Sequence, residues 1–468
     1  MAKNSLKWLA LAGGMALSAV TASHAQDSGA LLDLLARKGV ITDQEAEDLR
    51  AELTKEFAAN TSAGKIELSS RVKRFTLAGD VRLRYQYDNE IANNFNAAPS
   101  TGPNNDRSRY RYRFRFGPTV QFSNNWIAGF RLETAAGSTS TNDDFGASGS
   151  ANFAKDNNTV YVGQAWVQYA ATNKYGADRF DVRIGKHAHP FFTPGVNGFW
   201  IDTDINPEGF SEEVVFNDRF AKGWSLAIRG GQYLLANNSR VTDRNGGFLN
   251  DPSALWMGQA EFSKTYLYES NPYGLRIAPA FVAFTAPEVT GTTLNQADSA
   301  TTTNYDNLFT VLIPVEYTFK AANRPLAVYA TYGLNLKGGD RSNYLYSATP
   351  GANNEPVLTT AAGNPSAYNQ MGNAGVRFGG TRNAGDWQVT AEYRYVESGA
   401  YTAILLDSDF NAGRTNGAGT ILSGVYNITD AISGTVTWFH SENIDKNSSG
   451  SVGNHKADVI QVDLSAKF

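Results

Sequence analysis

From residue 74 to its end, the chain is a run of short segments with alternating apolar and polar side chains, and the connections between them alternate between long and short. A period of two is the mark of a strand with one greasy face and one polar face. Such segments occupy 74–88, 107–122, 125–137, 159–171, 179–187, 208–217, 223–235, 254–265, 274–285, 306–319, 325–336, 370–380, 386–397, 416–426, 431–441 and 457–468. That makes about 16 strands, an even number of the kind single-chain bacterial barrels use. Long connections rich in Gly, Asn and Thr (89–106, 138–158, 236–253, 286–305, 337–369 and 398–415) take turns with short ones, such as Ser123-Asn124, Lys320 to Arg324, Thr381 to Gly385 and Asn427 to Asp430. A soluble sandwich has no reason to segregate its loops this way. An outer-membrane barrel has long loops outside and short turns in the periplasm. The fold class expected is all-β: a transmembrane antiparallel β-barrel with a short N-terminal helical segment.

The two ends agree. Ile460, Val462, Leu464, Ala466 and the terminal Phe468 share one face of the last strand, while Gln461, Asp463, Ser465 and Lys467 share the other. A soluble edge strand can alternate in the same way, so this strand alone does not decide. At the other end, Lys3 and Lys7 precede an apolar stretch from Leu9 to Val20, followed by Ser23-His24-Ala25. This reads as a signal peptide, residues 1–25, cleaved before Gln26. Its apolar run is too short, and too rich in Gly and Ala, for a spanning helix. A bacterium with two membranes is the source that reconciles export with a barrel.

Composition excludes several classes. The chain has no cysteine, which removes disulfide scaffolds and thiolate metal sites. Loss of Lys3 and Lys7 takes the formal charge from −4 to −6, a balance that gives nucleic acid no attraction. Aromatic residues make up 12% of the chain, a content suited to interfacial girdles. Trp126, Trp224 and Trp387 each follow a short turn closely, so all three belong to one membrane interface.

Residues 26–60 form a separate unit. Leu31, Leu34 and Leu35 are at helical spacing, and Thr42-Asp43-Gln44-Glu45 reads as a capping box opening a second helix with Ala46, Leu49, Leu53 and Phe57 on one face. A periplasmic plug or spacer and an oligomerisation or tethering element both fit this pair. Residues 61–72 read as a linker, and 73–468 as the barrel.

The second strand carries the clearest chemistry. Arg107, Arg109, Arg111, Arg113 and Arg115 alternate with Tyr110, Tyr112, Phe114 and Phe116. A guanidinium on the lipid face at mid-depth costs about 2–4 kcal/mol, so the arginines face the lumen. By the same alternation Arg82, Arg84, Arg131 and Arg183 also point inward, giving a basic ladder on one wall. The aromatics lie on the opposite face and cannot stack bases beside it.

The connection at 188–207 differs from the other long ones in being aromatic and acidic. It contains Phe191, Phe192, Phe199 and Trp200, then Asp202 and Asp204, with Glu208 just beyond. So much apolar surface needs a packing partner. Folding into the lumen would bury the rings and bring Asp202, Asp204 and Glu208 toward Arg82, Arg84, Arg109, Arg111 and Arg113. Opposed charges across a narrow lumen set up a transverse field that sorts solutes.

These features resemble the Gram-negative porins. The helix pair before the barrel, with Phe191-Phe192 and the Trp200 to Glu208 segment, is similar to the group known as putative porins. The resemblance implies a water-filled passive channel in the outer membrane for small hydrophilic solutes and ions. It also implies a homotrimer among outer-membrane lipid and lipopolysaccharide, a third external loop as constriction, and Phe468 as the end read by the barrel-assembly machinery. Small anions are expected to pass at least as readily as cations. No cofactor is implied.

The same residues allow different functions. Asp202-x-Asp204-x-Asn206 with Glu213 resembles a calcium loop, but Pro207 stands where glycine is needed. His187 and His189 could be half a metal site, or ordinary residues of a solvated loop. No histidine sits in a nucleophile frame, which disfavours an enzyme barrel. A substrate-selective uptake channel would share this strand pattern, and so would a non-pore adhesin or structural barrel.

Overall fold

The computed structural model describes residues 37–38, 41–42, 44–45, 47–49, 69–92, 105–135, 141–146, 159–236, 241–242, 248–249, 253–268, 271–285, 308–338, 368–444 and 455–468. The chain divides into two units, Met1–Ser70 and Arg71–Phe468. The signal peptide expected at 1–25, nearly all of the first helix and linker residues 61–68 lie outside the described residues. In the first unit the capping box forms as its chemistry dictates. The Thr42 amide donates to Glu45 Oε2 at 2.8 Å, and the Glu45 amide donates back to Thr42 Oγ1 at 3.2 Å, with Gln44 to Leu49 helical where described.

The second unit is a closed antiparallel barrel of 16 strands. In chain order these are β1 Val72–Ala92, β2 Asn105–Phe122, β3 Trp126–Ala135, β4 Thr159–Lys174, β5 Ala177–Lys186, β6 Glu208–Asn217, β7 Ser225–Ala236 and β8 Ser253–Tyr268. They continue with β9 Asn271–Ile277 plus Ala280–Thr285, β10 Phe309–Ala321, β11 Arg324–Asn335, β12 Gln370–Gly379, β13 Trp387–Val396, β14 Gly417–Asn427, β15 Ile432–Asn443 and β16 His455–Lys467. Pro279 explains the break in β9, because proline has no amide for the ladder. Its carbonyl still accepts from the Ala260 amide at 2.9 Å.

Side-chain alternation matches the expectation strand by strand. On β1, Leu83 is 46% exposed while Arg84 is 5% exposed, and on β16 Leu464 is exposed while Gln461 is buried. Apolar side chains therefore coat the outside, while the inside is polar along the β1–β2 wall and carries an apolar patch of Tyr233, Leu255, Val282, Leu312 and Met371 on other strands. Several short turns use left-handed residue pairs that match strand twist. Asn124 and Asn125 sit at φ 62° and 69°, Tyr175 and Gly176 at 56° and 75°, Ala322 and Asn323 at 47° and 60°. Trp126 opens β3, Trp387 opens β13 and Trp224 directly precedes β7, so all three lie on the short-turn side.

Closure is made by β1 against β16, with Arg84 opposite Asp463 and Asp80 opposite Lys467. Phe468 completes the seam. Its amide donates to the Gly79 carbonyl at 3.1 Å and its carbonyl accepts from the Gly79 amide at 2.9 Å. Glycine is required at 79, because a Cβ there would stand 2.7 Å from the Phe468 ring and 2.5 Å from the Arg115 carbonyl.

Candidate functional site: an arginine wall and two inward loops

The arginine wall follows from strand register. β1 and β2 set Arg82 opposite Arg113 and Arg84 opposite Arg111. Like charges at facing positions repel, so the wall holds only if carboxylates are interleaved with it. Some come from the wall itself. Asp80 accepts from Arg115 Nε at 2.6 Å and from Arg113 Nη2 at 3.1 Å. Asp463 takes Arg84 in a two-pronged pair at 2.7 and 2.8 Å, and Asp88 lies 3.1 Å from Arg109.

The remainder come from three long connections, one carboxylate from each. A two-residue strand, Asp143–Asp144, adds to β2 beside Arg111 and Tyr112. It delivers Asp144 to Arg107 at 2.9 Å and to Arg111 at 2.7 Å, while Asn142 accepts from Arg82. The 187–207 connection delivers Asp204, at 3.0 Å from both Arg113 Nη1 and Arg115 Nη1. The 397–416 connection delivers Asp409 to Arg84 at 3.4 Å. Arg131 and Arg183 also face inward but have local partners: Arg131 pairs with Glu133 at 2.8 Å, and Arg183 bonds Gln168 over the Trp166 ring.

The 187–207 loop folds into the barrel, driven by its rings. Phe191, Phe199, Trp200 and Ile201 are buried in one cluster with Tyr233, Leu255, Val282, Leu312 and Met371 of the wall. Phe192 stays half-buried, with the Arg276 guanidinium 3.6 Å over its ring. Its backbone is pinned by Gln259, which accepts from the Phe192 amide at 2.8 Å and donates to its carbonyl at 2.9 Å. Thr193 Oγ1 accepts from the amides of Phe199 and Trp200 and so closes the loop tip. The loop thus bonds β8, β9, β12 and β13 on one side and β2 on the other. It crosses the lumen.

Of the three acids expected to meet the arginines, Asp204 alone does so. Glu208 begins β6 and pairs with Lys186 at 3.4 Å, because the β5–β6 register sets them opposite each other. Asp202 turns toward the second inward loop. Its amide donates to the Leu405 carbonyl at 2.9 Å, and its carboxylate accepts from the Asp204 amide at 2.8 Å. Burial first, and then the nearby Asp407 charge, raises the Asp202 carboxyl above the usual range. For Asp204, burial acts upward too, but Arg113, Arg115 and Arg82 outweigh it and hold the carboxyl low.

The calcium-loop spacing has a different use. Asn206 accepts from Gln164, and Glu213 pairs with Arg229 across the β6–β7 ladder, so these oxygens do not converge with Asp202 and Asp204. The histidines are not solvated as expected. His187 has no exposed surface and packs edge-on to Tyr233, while His189 stacks on Phe191 and is depressed to about 4 by burial.

By composition the second inward loop is an ordinary polar connection, and the structure corrects that reading. Ala400, Tyr401 and Leu405 are buried in the same cluster as Trp200, with Ile404 and Leu406 packed against it. The run Tyr401-Thr402-Ala403-Ile404-Leu405-Leu406 is the signal that could have found it.

The family model described as putative porin matches residues 18–309 and 318–468, and the chain belongs to that family. Its members are outer-membrane channels, and this barrel is an outer-membrane porin. Among solved structures, Pseudomonas putida OprB at high pH is 12% identical with a TM-score of 0.46, covering 84% of this chain and 94% of that one. Salmonella typhi OmpF, in complex with daunomycin, is 14% identical with a TM-score of 0.42, covering 86% of this chain and 100% of that one. No curated protein matches the chain.

Proposed function

We propose that the barrel is a passive channel for small hydrophilic solutes and ions, narrowed by the 187–207 loop against the Arg82, Arg84, Arg113 and Arg115 face. The observation that carries this reading is the loop's path. It is held on one wall by Gln259, Asn373 and Glu392, and its Asp204 lies 3.0 Å from Arg113 and Arg115 on the other. Asp204 in contact with these arginines makes a charged rim at the loop's edge, which favours compact polar and dipolar solutes over apolar ones. Much of the ladder is paired, so selectivity by sign is modest, with small anions passing at least as readily as cations. Export through a signal peptide cleaved before Gln26, reading of Phe468 by the barrel-assembly machinery and assembly as a homotrimer among lipopolysaccharide complete the proposal.

The test is reconstitution. Purified, folded protein added to planar bilayers gives stepwise conductance, and liposomes carrying it swell in small sugars faster than in larger ones. Electrical silence across clean preparations that run as folded, heat-modifiable barrels would instead support a structural or adhesive barrel.

A further inference from the structure

The 397–416 connection between β13 and β14 also turns inward, and its bonds differ from those of a surface loop. Its Asp407 is 2% exposed and accepts from Arg394 Nη1 at 3.2 Å and from Asn197 Nδ2 at 3.3 Å. Arg394, on β13, is equally buried. It also donates from Nε to Glu392 at 2.9 Å and from Nη2 to the Val196 carbonyl. Glu392 in turn accepts from the Val196 amide at 2.7 Å, from Asn373 at 2.9 Å and from the Tyr329 hydroxyl at 3.1 Å. One guanidinium therefore ties three things together: the wall through Glu392, the 187–207 loop through Val196, and the 397–416 loop through Asp407. Two residues beyond Asp407, Asp409 emerges from the packed region, 22% exposed, and meets Arg84 at 3.4 Å.

We propose that the 397–416 loop is a second constriction loop, with Asp409 as a selectivity-setting carboxylate beside Asp204, and that Arg394 is the positioning residue locking both loops across the lumen. This rests on the channel reading above and extends it to a second loop. The acid edge then runs from Asp204, facing Arg113 and Arg115, to Asp409, facing Arg84. Buried charge at Arg394 fits this role. An arginine wholly inside the protein is tolerated only when its donors are taken up, and here they are taken up by the two loops and the wall they must be fixed to. Apolar packing of Tyr401 and Leu405 against the Trp200 cluster holds the loops together, while the Arg394 bonds set their register.

The chain has no cysteine, so single cysteines can be read without background. Asp409→Cys and Asp204→Cys are compared in single-channel recordings before and after an anionic methanethiosulfonate reagent. The expected result is that Asp409→Cys moves the reversal potential toward anions, and that modification drops the current in a step and moves the potential back. A silent Asp409→Cys beside a responsive Asp204→Cys overturns the second loop but leaves the channel reading intact. If neither responds, the constriction reading itself fails. For Arg394→Met, gel mobility first establishes that the barrel is folded. Open-channel noise then rises at least severalfold and mean conductance increases, and Arg394→Lys restores part of the quiet state. A folded Arg394→Met barrel with unchanged noise and conductance overturns the positioning role, and a variant that does not fold passes the test to Asp407→Ala, which removes the acceptor of both Arg394 Nη1 and Asn197 Nδ2 and predicts the same noise.

Discussion

At the scale of the residue, the arginines of the β1–β2 wall are held by interleaved carboxylates. Arg113 and Arg115 share Asp80 and Asp204, so neither acid is expendable in the way a surface ion-pair partner is. Gly79 illustrates a different constraint, since the Phe468 ring occupies the space a side chain would need. Gly79→Val is expected to cost about 1–3 kcal/mol through overpacking at the seam and to lower the fraction of heat-modifiable barrel. Deleting Phe468 removes the two backbone bonds to Gly79 as well as the ring, and outer-membrane levels fall while periplasmic fragments accumulate. Normal levels of either variant would show that the seam does not depend on this contact. The arginine ladder was legible at this scale, because alternation with aromatics leaves one orientation for a guanidinium in a membrane. Which acid meets which arginine was not legible. Height along the barrel depends on shear, and shear is a property of the closed sheet rather than of any one strand.

At the scale of the element, the strands were legible to within four residues at either end and the loops only in part. Turn residues explain the strands. Asn124 and Asn125 adopt left-handed conformations that β-branched residues resist, so Asn124→Val costs roughly 1–2 kcal/mol and slows folding into micelles. Unchanged folding kinetics would contradict that role. For the loops, aromatic content identified 187–207, whereas the shorter apolar run Tyr401 to Leu406 was hidden among polar neighbours. Where these two loops meet, a pH dependence follows. The Asp202 and Asp407 carboxyls are both raised, in each case first by burial. Asp407 and Asp204 add to the effect at Asp202, and Asp409 adds to it at Asp407 while Arg394 opposes it. His189 stays neutral beside them. A carboxyl raised by docking binds its proton more tightly in the docked state, so docking is strongest in mild acid and weakens as pH rises toward neutrality and above. Open-channel noise is therefore expected to grow between about pH 5 and about pH 8, and Asp202→Asn to flatten the profile. Noise that falls over the same range would reverse the sign and reject the linkage.

At the scale of the whole molecule, the barrel is a lipid-facing shell whose interior is crossed by chain rather than left open. The 187–207 loop reaches from β12 and β13 to β2 and leaves Asp204 42% exposed beside the arginines. An apolar outside and the arginine-bearing inner face of β1 and β2 could be foreseen from a period of two. The crossing could be foreseen only as a need to bury Phe191, Phe199 and Trp200, because the sequence does not say which wall receives them. The most direct test of a charged constriction is the reversal potential of single channels in a salt gradient, comparing the parent chain with Asp204→Asn and with Arg113→Ser/Arg115→Ser. Asp204→Asn removes the loop's contribution and is expected to shift the potential toward anion preference. The double serine variant is expected to shift it toward cations, and each shift should shrink as salt is raised and the charges are screened. Identical reversal potentials in all three folded channels would place the narrowest, charge-sensing part of the pore elsewhere and contradict a constriction built on Asp204 and these arginines.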